Sequence, residues 1–128
     1  MTKLVYAIIG LPASGKSTLA WSMLDDGLVD YVVDDPRDID LIKFAFEEYS
    51  TIAVTCPFLC DPQNLKVLVA LADDYEFKVE CLYFKNDPEQ CKINAQNRSD
   101  KVVDKFIDRM SRLYIIPPTS TPLEVYSK

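Results

Sequence analysis

Apolar residues along the 128-residue chain alternate between two spacings. Short, nearly continuous runs are rich in β-branched and aromatic residues: KLVYAII (3–9), LVDYVV (28–33), TIAVTC (51–56) and FKVECLYF (77–84). They read as strands covered on both faces. Between them the apolar positions fall three and four apart, the helical period. SGKSTLAWSMLDD (14–26) puts Leu19, Met23 and Leu24 on one side. PRDIDLIKFAFEEYS (36–50) lines up Ile39, Ile42, Phe46 and Tyr49, with Pro36 in its first turn, where proline is tolerated. PQNLKVLVALADDY (62–75) follows Asp61, a capping residue, and PEQCKINAQNR (88–98) follows Asp87, a cap set before a first-turn proline. DKVVDKFIDRMSRLY (100–114) supplies a further helix, its buried side made by Val102, Val103, Phe106, Ile107, Met110 and Leu113. The tail, with prolines at 117, 118 and 122, is expected to be extended, with a short edge strand near Leu123–Tyr126.

Strand and helix alternate through most of the length. This order predicts an α/β three-layer sandwich with a mostly parallel sheet, built as a single domain over residues 1–128. Composition narrows the chemistry. A net charge of −6 makes sequence-independent nucleic-acid binding over the whole surface a poor fit. No run reaches the roughly 18 apolar residues of a membrane span, and the N-terminus reads as a strand rather than a signal peptide. The expected location is the cytoplasm, without a membrane partner. Four cysteines (Cys56, Cys60, Cys81 and Cys91) form no C-x-x-C pair and the chain has no histidine, so they read as free thiols rather than zinc ligands. Without histidine, the Ser-His-Asp and Cys-His catalytic pairs are excluded. Chemistry here falls to carboxylates, Lys, Arg or a metal.

One stretch changes the picture. Gly10-Leu11-Pro12-Ala13-Ser14-Gly15-Lys16-Ser17 fits G-x-x-x-x-G-K-[ST], between a predicted strand and a predicted helix. A loop that wraps a phosphate must point successive N–H groups inward, which takes unusual backbone angles and close approach. The helix start at Gly15 is an anion site. Lys16 brings a full positive charge, and the Ser17 hydroxyl is a Mg²⁺ ligand. The candidate site for ATP, or another nucleoside triphosphate, is therefore Gly10, Pro12, Ala13, Ser14, Gly15, Lys16, Ser17 and Thr18, with Ser17 on the metal.

With this motif, and up to about Arg112, the chain resembles a P-loop kinase, specifically the kinase domain of phage-type polynucleotide kinase. The resemblance implies a D-D-x-R stretch after the second strand, and VVDDPRDID supplies it. Asp34 matches the base for the acceptor hydroxyl, and Arg37 matches the arginine that holds the acceptor's phosphate. Both roles make chemical sense: an attacking hydroxyl needs a carboxylate in reach, and a phosphate suits a guanidinium fork. The resemblance also implies a lid, at about residues 90–100. Arg98 there reaches the transferring phosphates, Asn94 aligns with a common asparagine, and Lys92 is a weaker candidate cation. It further points to a phage or bacterial origin and to a kinase without an attached phosphatase domain.

The resemblance has a gap at the third strand. The family usually places an aspartate at that strand's end and an arginine soon after, but here Cys56 stands in that place and no arginine follows. Asp61 lies too far along to substitute. Either Asp34 or Asp35 completes the metal shell, or the acceptor differs, or catalysis is weak. Arg98, Lys101, Lys105, Arg109 and Arg112 fall at helical spacing as a basic stripe. Asp100, Asp104 and Asp108 lie beside it, and the pairs Lys101–Asp104, Lys105–Asp108 and Asp108–Arg112 read as a salt-bridged surface helix. Three readings follow: a kinase acting on the 5′-hydroxyl end of DNA or RNA, a kinase with a nucleoside, nucleotide or metabolite acceptor, and a nucleotide-binding module without transfer. Oligomeric state has no signal in the sequence.

Overall fold

Strand β1 (Leu4–Ile9) is the middle of the molecule, and its neighbours on either side explain its unbroken apolar sequence. A computed structural model describes residues 2–98 and 104–127. In it, β1, β2 (Tyr31–Asp34), β3 (Thr51–Thr55) and β4 (Lys78–Tyr83) form a four-stranded sheet in the order β2-β3-β1-β4. Every pairing is parallel. Helices α1 (Lys16–Asp25), α2 (Ile39–Glu48), α3 (Pro62–Asp74), α4 (Pro88–Asn97) and α5 (Asp104–Leu113) complete the fold, with a short 3₁₀ turn at Pro57–Cys60.

Side chains alternate across β1. Val5, Ala7 and Ile9 enter one apolar cluster with Phe46 of α2, Leu68 of α3, Cys91 of α4 and Ile107 of α5. Ile8 enters a second cluster with Ala20 and Met23 of α1. Helices therefore cover both faces of the sheet, and the chain is α/β as its pattern of elements predicts. Asp61 and Asp87 cap α3 and α4, as expected, through the N–H groups of Gln63 and Gln90 at 3.0 and 3.2 Å.

Some boundaries differ from the expectation. The second strand starts at Tyr31 and takes in Asp34. Helix α2 starts at Ile39 under an Asp38 cap, so Pro36 lies outside it, and Ile39 is exposed instead of lying on the buried stripe. The cause is Asp35. Its N–H is held by the Thr55 carbonyl at 2.9 Å and the Thr55 hydroxyl at 3.1 Å, with φ at +49°. That left-handed turn breaks the path a helix would need. The expected edge strand shrinks to one parallel bridge, Phe84 with Leu123.

Tyr114, just past α5, fastens that helix to the sheet. Its buried hydroxyl is shared between the carbonyls of Ile9, at 3.1 Å, and Phe84. Tyr114→Phe removes the donor and leaves buried carbonyl capacity unmet. It is expected to lower unfolding stability by about 1–3 kcal/mol. Urea unfolding checks this, with the midpoint falling at unchanged slope.

Candidate functional site

The strand order turns back at β1, whose neighbours β3 and β4 lead in opposite directions along the sheet. Parallel sheets open a crevice at such a point, above the carboxyl ends of the strands. The glycine loop leaves β1 there and runs into α1. Gly10 must be glycine because the Ser14 hydroxyl occupies the space: an added Cβ would lie 2.5 Å from it. Gly15 has φ +109°, and its Cβ would press on Tyr126 at 3.0 Å. Ala13 also has positive φ, +66°. Asn94 of α4 supports that bend by donating to the Ala13 carbonyl at 3.0 Å and to the carbonyl of Tyr126. The Tyr126 N–H in turn reaches the Ser14 carbonyl at 3.0 Å. The C-terminal tail thus straps the loop, a role the sequence did not disclose because it joins residues more than 100 positions apart.

Lys16 folds back over the loop and donates to the Leu11 carbonyl at 2.8 Å, with only 7% of its surface exposed. No carboxylate lies within ion-pair distance of it among the described residues. Burial pushes its ammonium below the ordinary lysine value. The neighbouring thiols of Cys60 and Cys91, themselves pushed up by burial to about 12 and about 11, stay neutral at pH 7 and lend no counter-charge. The Asp35 carboxylate acts on it only from beyond ion-pair distance, so burial outweighs it and the cation is left short of counter-charge.

That state makes a prediction. An anion beside Lys16 favours the charged form and raises its pKa. If that anion is a nucleotide's phosphate, its binding is expected to take up protons in the range between the lowered value and the ordinary 10.5. The same sign makes the ligand-free protein gain stability as pH rises through the lowered value. Calorimetric titration with ATP·Mg²⁺ in two buffers of different ionisation enthalpy reads the uptake; identical heats in both would contradict it.

Asp34 lies directly across from Thr55 in the β2–β3 register. Its Oδ1 accepts from the Ser17 hydroxyl at 2.7 Å and from the Thr55 hydroxyl at 2.6 Å. Its Oδ2 accepts no hydrogen bond from the described residues. Ser17 and Asp34 thus place two hard oxygens side by side, the donors Mg²⁺ prefers when substrate phosphates complete its shell. Among the described residues no group of three or more acidic, cysteine or histidine side chains is poised for a metal, so an ion here would be held jointly with substrate. Cys56 contributes no carboxylate. It is half-buried with its thiol pushed up by burial, and it precedes the 3₁₀ turn. Asp34, one strand over and held by the Thr55 hydroxyl, places a carboxylate beside the end of the third strand. Sequence reasoning does not single out Thr55; its one signal is a hydroxyl at the strand's end, after the apolar residues 52–54, and Thr51 at the other end carries the same group.

Arg37 makes no ion pair with Asp34, but both line one hollow with Asp35 and Trp21. Arg98 ends α4, one turn beyond Asn94, and lines a separate hollow with Asn94, Asn97 and Tyr126. It therefore belongs to a different helix from Lys105, Arg109 and Arg112, and the expected continuous basic stripe is broken. Residues 99–103, which include part of the expected lid and Lys101, lie outside the described residues. Asp108 pairs across helices with Lys92 at 2.8 Å instead of along α5. Lys92 thereby braces α4 against α5 instead of facing the loop.

No protein-family profile matches the chain. It is 29% identical over 124 residues to an uncharacterized protein of Acanthamoeba polyphaga mimivirus, an alignment covering 91% of this chain and 89% of that relative. The similarity brings no activity with it. Among the described residues, no helix is long and apolar enough to cross a membrane.

Proposed function

We propose that the chain is a phosphotransferase of the P-loop kinase type, a three-layer sandwich that moves the γ-phosphate of ATP, or another nucleoside triphosphate, to a hydroxyl. The leading acceptor is the 5′-hydroxyl end of DNA or RNA. One observation carries the reading: a buried lysine without a carboxylate partner shares a glycine loop with Ser17, and Ser17 holds an aspartate whose second oxygen stays open.

In this reading the loop N–H groups and Lys16 hold the β- and γ-phosphates. Mg²⁺, held by the Ser17 hydroxyl oxygen together with those phosphates, would neutralise their charge, with Asp34 beside it through its hydrogen bond to Ser17. Ser17 and Thr55 orient Asp34 so that Oδ2 meets the acceptor hydroxyl. As the hydroxyl oxygen bonds to the γ-phosphorus, the bond from that phosphorus to the β-bridging oxygen breaks and ADP leaves. The hydroxyl proton passes to Asp34. Arg37 holds the acceptor's own phosphate, and Arg98 approaches the transferring group from α4.

The second reading keeps this chemistry with a small acceptor. The net charge of −6 and the lack of an arginine after the third strand favour it. The deciding experiment is transfer of labelled γ-phosphate from ATP·Mg²⁺ to a 5′-hydroxyl oligonucleotide, with Lys16→Ala alongside. Label on the oligonucleotide, absent with the variant, supports the leading reading. ATP binding without labelled oligonucleotide rejects that acceptor. Transfer to a small hydroxyl compound then supports the second reading, and binding without any product leaves a nucleotide-binding module.

A further inference from the structure

The chain's single tryptophan stands at the rim of this site. Trp21 lies four residues after Ser17 on α1, about 6 Å farther along the helix. It joins Tyr31, Asp34, Asp35, Arg37 and Leu41 around an open hollow of about 400 Å³ beside the edge strand β2. Its surface is 46% exposed, and its ring meets no other ring among the described residues. Tyr31 differs: its ring is stacked on Tyr49 at 4.4 Å and meets the edge of Phe44 at 6.4 Å, so it is a fixed wall. Arg37 makes no ion pair or hydrogen bond with the described residues. The hollow thus combines two carboxylates, a guanidinium and a half-exposed indole that no other ring covers among the described residues.

We propose that Trp21 is the platform on which the base of the acceptor nucleotide stacks, while Arg37 takes the adjacent phosphate. The proposal rests on the kinase reading in placing the acceptor hydroxyl at Asp34. The ligand it describes is a nucleobase on a ribose or deoxyribose bearing a free 5′-hydroxyl and a 3′-phosphate. A polynucleotide end and a nucleoside 3′-monophosphate share that chemistry. A second cavity, of about 190 Å³, shares Arg37 with the hollow and is lined also by Asp38, Cys56, Phe58, Val67 and Leu71. Neither Asp34 nor Asp35 reaches it, and its one aromatic ring, Phe58, is already engaged by Phe106 at 5.7 Å. A base seated there would leave Asp34 and Asp35 behind.

Because the chain has one tryptophan, its fluorescence reports this site alone. The full chain is titrated with a single-stranded 5′-hydroxyl oligonucleotide, with the same oligonucleotide lacking its 5′-terminal base, and with a nucleoside 3′-monophosphate. Stacking predicts quenching by base-bearing ligands and affinity about ten- to a hundred-fold weaker for the abasic one. Quenching by the oligonucleotide alone assigns the site to polynucleotide ends, and quenching by both assigns it to the terminal nucleotide. Anisotropy of a 3′-labelled oligonucleotide reads the variants. Trp21→Ala should weaken binding by a similar factor and Trp21→Phe should restore most of it, with thermal unfolding confirming that each variant is folded. Equal binding of base-bearing and abasic ligands, no binding of any, or unchanged binding by Trp21→Ala overturns the proposal. Transfer without quenching overturns it while leaving the kinase reading in place. Quenching without transfer does the reverse.

Discussion

Lys16→Met is expected to have two opposite effects: nucleotide binding and transfer are lost, and the ligand-free protein becomes more stable. The lysine carries its charge into a place where 7% of its surface sees solvent and its donor bond goes to the Leu11 carbonyl at 2.8 Å. Removing charge from water is costly when no opposite charge replaces the lost hydration. Methionine fills a similar volume without that cost. The Leu11 carbonyl loses its partner, an opposing term of about 1 kcal/mol. The balance is a stabilisation of about 1–3 kcal/mol, a rise of several degrees in the unfolding midpoint. Transfer loses the one full charge the loop brings to the outer phosphates, a fall on the order of 10³-fold or more. Thermal unfolding with and without ATP·Mg²⁺ reads both effects together. The wild type gains stability from ligand and the variant does not. A variant that is less stable and still stabilised by ATP would show the lysine to be a staple of the loop rather than its anion receptor.

Sequence legibility followed distance along the chain. The loop was readable because its parts are neighbours: Gly10, Gly15, Lys16 and Ser17 sit in eight consecutive positions, and local backbone demands fix their spacing. The caps at Asp61 and Asp87 were readable for the same reason. Asp34 was readable by position, but its partner Thr55 was not, because strand register brings the two together across 21 residues. That pairing also sets a carboxylate beside the end of the third strand, where Cys56 supplies none. The same Thr55 pins Asp35 and delays α2, so a tertiary contact outweighed the Asp-Pro start signal. Asp108 offered same-helix partners by spacing, yet it binds Lys92 because α4 packs against α5. Tyr126 and Asn94 clamp the loop through backbone carbonyls, contacts that leave little trace in residue identity.

Asp34→Asn is expected to reduce turnover by about 10²- to 10⁴-fold with little change in fold. Asparagine keeps an oxygen where Oδ1 accepts the Ser17 and Thr55 hydroxyls, so the cross-strand clamp survives. What is lost is the negative charge and the basic Oδ2. The variant therefore separates chemistry from architecture, which Asp34→Ala would not. Thr55→Val tests the other half: the carboxylate remains but one of its two guides is gone. A misplacement of about 1 Å costs up to 10²-fold, so its loss should be smaller and should fall mainly on turnover. Ser17→Ala removes the second guide together with the oxygen proposed to hold Mg²⁺. It should raise the Mg²⁺ requirement, which Thr55→Val should not. The order Asp34→Asn, then Thr55→Val, follows from one oxygen holding two hydroxyls and the other left open, and the shifted Mg²⁺ dependence is expected for the change at Ser17. Asp35 is the control, since it lies beside the same hollow but its carboxylate takes no hydrogen bond from Ser17 or Thr55. If Asp35→Asn abolished transfer while Asp34→Asn kept the wild-type rate, the base would be Asp35, and Asp34 would be only a tie between β2, β3 and the glycine loop.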